Sequence, residues 1–422
     1  MKNYSDFLKD FEKLISINSV KDAPAENMPF GKGVNQAFNE FKSICSRLGF
    51  SVTDYDGYFG EFSVGEGEEV GVIGHLDVVP APENGWNTPP FKLTKKNGVF
   101  YGRGVSDDKG PLIVALYALK ELIADGAILK KKLRFFIGLD EESGWADVDY
   151  FLTKNTFPKY GFSPDGNFPV TYAEKGPNSI KFFIPYDGKT FTMVKGGTVV
   201  NAVCDYATAV GKIDEDLLKK YGLTHNGSVK ISHGKAAHGS KPELGVNAIK
   251  PLLGYMNEIE NGRFNNAIEC LFFDKYGITK MGNETGLATL SPDIIDFDGE
   301  NIVITADFRV PAKMNLTDFL PYFDRFDIKY IAKKSRDPLF VEKDSELVTA
   351  LINAYNEVTG ENAVPETSTG ATFSSVFECG AAFGPEFKDA DGAIHEPNEY
   401  LSEENLLKMF NIYKTAFKNL LT

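Results

Sequence analysis

Five short stretches of the chain place histidines and carboxylates just after strand-like segments. They are His75 and Asp77 in GHLDVVP, Asp107 and Asp108 in GRGVSDDKG, Glu141 and Glu142 in GLDEESGW, Asp165 in FSPDGNFP, and His395 in GAIHEPNE. Taken singly, a His-x-Asp pair is most often a hydrogen-bonded structural pair, and two adjacent acids are most often a solvated turn. The HLD and DEE stretches, however, both close strongly apolar runs, where a charge is costly without a partner. A divalent cation supplies that partner. Imidazole with carboxylates and no thiolate suits zinc, with manganese or cobalt as replacements. The chemistry that wants this set is hydrolysis over two ions roughly 3.5–4 Å apart, bridged by a carboxylate. Within the glutamate pair, one member can hold a metal while its neighbour, kept off it, takes the proton from water. His75 is then a ligand, and Asp77 orients its imidazole through the other ring nitrogen.

Such groups need a scaffold that gathers them. The run EVGVIGHLDVV, residues 69–79, and the run KLRFFIGL, residues 132–139, read as buried strands. Between them SDDKGPLIVALYALKELIADG reads as a helix, with Pro111 near its first turn, Leu112, Leu116, Leu119 and Ile123 along one face, and Gly126 at its stop. Strand, helix, strand is the signature of an α/β layer, and in an open α/β sheet the carboxyl ends of the strands face a common crevice. Residues 345–359 and 403–421 read as helices covering the same sheet. The middle differs: SIKFFIPY, KTFTMVKGG, GSVKISHG and NIVITADFRVP are short strand-like runs, alternating with helical patterns at AIKPLLGYMNEIE and LTDFLPYFDRF. Residues 178–338 are therefore an inserted α+β domain, and 1–177 with 339–422 form the two parts of the other.

Composition fits this picture. A chain of 422 residues with 42% apolar content exceeds the usual size of one hydrophobic core. The 45 basic and 59 acidic residues give a net charge of -14, with no basic block dense enough to track a phosphate backbone, so nucleic acid is not expected as a partner. Cys45, Cys204, Cys270 and Cys379 are too scattered for a zinc ribbon or a disulfide scaffold, as expected in a reducing cytoplasm. The N-terminal run spaces Phe7, Leu8, Phe11, Leu14 and Ile15 as a helix with charges between, unlike a signal peptide. No segment reaches membrane-spanning length.

The motifs LISINSV, MPFGKGV, GHLDVVP, a tryptophan with PPF, YGRGVSDDKGP, DEESG, SPDGNFPVTYAEKG, AAHGSKPELGVNAI, DFRVP and IHEPNE occur in that order over most of the chain. In this combination the sequence resembles the dinuclear zinc metallopeptidase family of carnosinase, aminoacylase, carboxypeptidase G and acetylornithine deacetylase, and within it the peptidase V-like dipeptidase branch. The resemblance implies a zinc-exopeptidase-like catalytic domain, a mixed sheet flanked by helices, with an inserted α+β lid domain. It implies two zinc ions bridged by Asp107, with His75 and Asp165 completing one site, Glu142 and His395 the other, and Glu141 as general base. It also implies a cis peptide bond between Asp107 and Asp108. In the lid, His238 matches the histidine that donates to the oxyanion, Arg309 the arginine that grips the substrate carboxylate, and Asn201 lines the same cleft. His225 and His233 match no motif and are read as structural.

Two stretches depart from the pattern. STGATFSSV, residues 368–376, lacks the arginine usual before the last histidine, and Cys204 stands where relatives carry proline. Neither touches an implied ligand. The resulting expectation is a dipeptidase acting on a dipeptide or other small amide, as a monomer or homodimer, without nucleic-acid or membrane partners. An N-acyl amino acid amidohydrolase using the same site is the second reading, and a non-catalytic binding paralogue the third.

Overall fold

The computed structural model describes residues 1–82, 84–388, 390 and 392–422. It divides into two compact units, one of Met1–Ala173, Leu339–Ser368 and Thr372–Thr422, the other of Glu174–Pro338 with Thr369–Ala371.

The first unit is built on a mixed sheet. Its central strands run in the order Phe59–Val64, Lys132–Gly138, Glu69–His75, Tyr160–Ser163 and Cys379–Ala382. The last four are mutually parallel, and antiparallel strands close both sides. This is the α/β class expected from the sequence. The Glu69–His75 strand ends at the histidine, four residues before its apolar run does. Leu76 still donates its N–H to Gly138 O, while Val78 bridges instead to Val20.

The crossover between the parallel strands Glu69–His75 and Lys132–Gly138 contains the helix Lys109–Ala124. Sequence spacing gave this helix one apolar face, but it is buried all round from Lys109 to Leu119. The reason is its position: the sheet strand Glu69–His75 touches it, and so do the helices Tyr4–Ile15 and Glu403–Leu421. A helix enclosed in this way has no polar face to keep. Its first turn accepts close backbone approach. Gly110 donates its N–H to Gly104 O at 2.9 Å, and a Cβ there would lie 2.0 Å from Val105 O.

The second unit is α+β. Its eight-stranded antiparallel sheet runs Thr224–Asn226, Val229–His233, Tyr206–Gly211, Phe191–Gly196, Thr289–Phe297, Asn301–Val310, Gly176–Pro185 and Lys329–Lys334. The helix Ile249–Ile259 presents Ile249, Leu252, Leu253, Tyr255 and Met256 to a core that includes Ala207, Ala209, Ile295 and Ile304. Thr289–Phe297 was not legible as a strand, because TLSPDIIDF carries a proline and two acids. The ladder accommodates Pro292 beside a register shift between Pro292 and Ile294. Residues 316–326, expected as one helix, break into a 3-10 turn at Leu316–Asp318, a single helical turn at Leu320–Phe323 and a second 3-10 turn. Pro321 supplies no N–H to a continuous ladder and sits instead at the start of the short helix. Among the described residues no helix is long and apolar enough to cross a membrane.

Because Gly110 packs its α-carbon against the loop that leads into this helix, Gly110→Ala should destabilise the first unit by about 1–3 kcal/mol. Thermal unfolding checks this, and an unchanged melting temperature would show that the loop yields freely.

Candidate metal centre

Three neighbouring parallel strands deliver the candidate residues. Glu69–His75 ends in His75, with Asp77 just beyond; Lys132–Gly138 leads into Glu141 and Glu142; Tyr160–Ser163 leads into Asp165. Asp107 and Asp108 immediately precede the helix Lys109–Ala124. The crevice position expected for an open α/β sheet is thus where these groups meet.

His75 is fully buried. Its main-chain N–H donates to Asp108 Oδ2 at 3.1 Å, and its Nδ1 lies 3.0 Å from the carbonyl oxygen of Asp77. A carbonyl only accepts, so Nδ1 carries the proton in this contact and Nε2 is the nitrogen left for a cation. Nε2 lies 3.0 Å from Asp107 Oδ1 and 3.7 Å from Asp165 Oδ2, yet makes no aligned hydrogen bond. His395, at the exposed rim, brings its own Nε2 to 2.9 Å from Asp107 Oδ2 and 3.1 Å from Glu142 Oε2. Asp107 therefore presents one oxygen to each imidazole. The Asp107–Asp108 peptide bond is cis.

The orientation of Asp77 goes beyond the sequence reading. Its Oδ1 is 3.3 Å from His75 Nδ1, farther than its own carbonyl oxygen. The carboxylate instead accepts the N–H groups of Glu141 and Glu142, at 3.1 Å each. Asp77 thus positions the glutamate pair as well as the imidazole. Asp147 acts on the same loop, accepting the N–H groups of Leu139 and Asp140 at 2.7 and 3.0 Å. Burial pushes Asp147 up to about 7.

The electrostatics of the cluster suit a cation. Burial, reinforced by the charges of Asp165, Glu142 and Asp107, pushes Glu141 well above the usual carboxylate range. Burial and Asp107 also raise Glu142. Burial would raise Asp107 too, but the imidazoles of His395 and His75 hold it far below its ordinary value. Conversely, burial would lower His75, and its contacts with Asp107 and Asp77 more than reverse this. Two donor groups emerge whose atoms all lie within 4.8 Å of one another: His75, Asp107 and Glu142, and His75, Glu141 and Asp165. The crowded acids and the unaligned Nε2 fit divalent cations.

The other predicted residues belong to the second unit. His238 Nδ1 lies 2.7 Å from Ser240 Oγ. Asn201, at a positive φ of 89°, accepts the Gly239 N–H at 2.6 Å through its carbonyl, and donates its own N–H to Asp293 Oδ2 at 2.9 Å. Arg309, buried on the Asn301–Val310 strand, donates Nε to Asp307 Oδ2 at 2.9 Å. A Cβ on Gly239 would meet that same Asp307 oxygen at 2.7 Å, so the His238 loop and the Arg309 strand adjoin. His225 contacts Gly227 O and Glu215 at the surface, and His233 packs edge-on against Tyr206. Cys204 is buried in this unit's core.

Sequence reasoning missed three contributors. Asp147 gave no signal beyond lying in GWADVDYF. Glu399 was visible as the last letter of IHEPNE. Phe373, inside the departing STGATFSSV stretch, sets its ring edge-on to His75 with centroids 6.2 Å apart, so that stretch supplies an apolar wall to the imidazole.

A mixed sheet with this donor set at its strand ends defines a metal-dependent hydrolase. More specifically, residues 71–419 match the model of peptidase family M20/M25/M40, and the chain belongs to that family. A Staphylococcus saprophyticus protein named "Putative dipeptidase" is 31% identical, the alignment covering 98% of this chain and 97% of that one. The crystal structure of human carnosine dipeptidase 1 shares the fold, with a TM-score of 0.62 at 17% identity over 99% of this chain and 97% of that chain. So does an M20 family metallo-carboxypeptidase from Sulfolobus solfataricus, with a TM-score of 0.63 at 15% identity over 98% of each chain.

Asp293, which holds the Asn201 N–H, is raised to about 7 by burial and by Asp307, against the opposing hydrogen bonds of Ser291 and Asn201. A folded-state value above the unfolded one means that its stabilising contribution is present below about pH 4 and is lost as pH rises through about 7. Asp293→Asn should therefore gain melting temperature relative to wild type as pH rises through this window. A difference that stays constant with pH would contradict the assignment.

Proposed function

We propose that the protein is a metal-dependent dipeptidase, hydrolysing the peptide bond of dipeptides with a free C-terminal carboxylate. The observation that carries this reading is Asp107, with its two oxygens 3.0 and 2.9 Å from the imidazoles of His75 and His395. That disposition suits a carboxylate bridging two ions, one completed by His75 and Asp165, the other by Glu142 and His395. Oxygen and imidazole donors without thiolate favour zinc, with manganese or cobalt as substitutes. Similarity along 98% of the chain to a protein named as a dipeptidase supports the substrate class.

Two bound ions would lower the pKa of a water and polarise the scissile carbonyl. Glu141 accepts the water's proton at its carboxylate and delivers it to the leaving amine, and burial, reinforced by the neighbouring acids, raises its proton affinity in the direction this role needs. Asp77 holds the N–H groups of both glutamates and so fixes the loop that carries the base. His238 donates to the oxyanion, Arg309 grips the substrate's terminal carboxylate, and Asn201 adds a further donor beside them. We place the enzyme in the cytoplasm, where its four free cysteines would remain reduced, as a monomer or homodimer.

Chelation should abolish hydrolysis of a dipeptide panel and zinc add-back should restore it, while N-acetyl and N-succinyl amino acids turn over poorly. Turnover confined to the acyl amino acids would replace the dipeptidase reading with an amidohydrolase one. Glu141→Gln should keep its bound metal, measured by elemental analysis, and lose on the order of 10²- to 10⁴-fold in kcat. Wild-type kcat would remove Glu141 from the mechanism. Arg309→Lys keeps a cation beside Asp307 but loses the two-pronged grip, and should raise the dipeptide KM about tenfold with little change in kcat. An unchanged KM would place the carboxylate elsewhere.

A further inference from the structure

Glu399, visible only as the last letter of IHEPNE, takes no part in the proposed reaction, yet among the described residues it is one of the most heavily hydrogen-bonded side chains of the first unit. Its carboxylate is fully buried. Oε1 accepts the main-chain N–H groups of Gly104, Ser106 and Asp107 at 3.1, 2.8 and 3.1 Å. Oε2 accepts Gly104 N–H at 3.0 Å and Arg103 Nη1 at 2.7 Å. All these donors come from one loop, and that loop ends at Asp107.

The surrounding backbone holds this carboxylate in register. Glu399 O accepts the Gly102 N–H at 3.1 Å, Ser106 Oγ donates to Tyr400 O at 2.8 Å, and the strand Tyr400–Ser402 pairs antiparallel with Val99–Tyr101. Successive N–H groups converging on one point form a concave nest for an anion, and here the anion is part of the chain. Four residues earlier the same segment supplies His395. Arg103 balances the added charge in an ion pair with both partners buried, so Glu399 contributes geometry without leaving a further uncompensated acid beside the cluster.

From this arrangement we infer that Glu399 is a positioning residue for the metal centre. By fixing the main chain of Asp107 from the segment that carries His395, it sets the distance between the shared carboxylate and one of the imidazoles it faces. The inference rests on the two-ion reading. Groups that orient metal ligands typically contribute 10- to 100-fold in affinity or activity. A carboxylate that merely stabilised the fold would shift melting temperature alone.

The test measures zinc affinity by competition with a chromophoric chelator, alongside melting temperature and dipeptide turnover, on full-length wild type, Glu399→Gln and Glu399→Asp. Glutamine keeps the length and one acceptor but loses the charge that Arg103 and the nest require. Aspartate keeps the charge but is one methylene short of the loop. Either variant, if folded, should bind zinc about 10- to 100-fold more weakly, with turnover partly recovered by excess zinc. Zinc affinity within about twofold of wild type in either folded variant, whatever the melting temperature, overturns the assignment. Wild type that binds two zinc ions but cleaves no dipeptide would sink the substrate reading and leave the zinc comparison to decide on Glu399. Wild type that takes up no zinc overturns both.

Discussion

Like charges held close together at the ends of three strands set the central constraint. Asp107, Glu141, Glu142 and Asp165 crowd around His75, an imidazole with no exposure to solvent. Two histidines cannot neutralise four carboxylates, and the consequence is visible in the glutamates, both raised by burial and by their acidic neighbours. Cations turn this repulsion into attraction, which makes metal binding and the protonation of Glu141 parts of one balance.

Such a cluster keeps its shape only if its backbone is fixed independently of the ions. The fold does this with carboxylates that accept main-chain N–H groups. Asp147 holds Leu139 and Asp140, Asp77 holds Glu141 and Glu142, and Glu399 holds Gly104, Ser106 and Asp107. The helix Lys109–Ala124, enclosed on all sides, anchors the other end of the Asp107 loop through Gly110. The second unit uses the same device, Asp293 holding the main chain of Asn201.

The legible part of this design is the part written in residue type and period. His75, Glu141 and Glu142 stood out because HLD and DEE close apolar runs rich in β-branched or aromatic residues, where a charge demands a reason, whereas Asp165 follows a strand too short to announce itself and gained its place in the site from the resemblance. The helix Lys109–Ala124 and the two C-terminal helices were readable from spacing and stop signals, although full enclosure of the first was not, since spacing reports one face and packing decides the rest. Thr289–Phe297 was hidden because its proline and aspartates argue locally for a loop, and the register shift beside the proline exists only in the assembled sheet. Asp147 and Glu399 were opaque for a different reason. Which side chain accepts a main-chain N–H depends on where distant segments meet, and nothing in a residue's identity records that.

The measurement closest to the central claim is a zinc titration of chelated protein, read by calorimetry, for wild type, Asp107→Asn and His395→Ala. Wild type should bind two equivalents. Loss of the shared carboxylate should weaken both, and loss of the rim imidazole should weaken one while the ion beside His75 remains. A single equivalent in wild type, or an Asp107→Asn protein that still binds two ions with undiminished affinity, would contradict a dinuclear centre organised around Asp107.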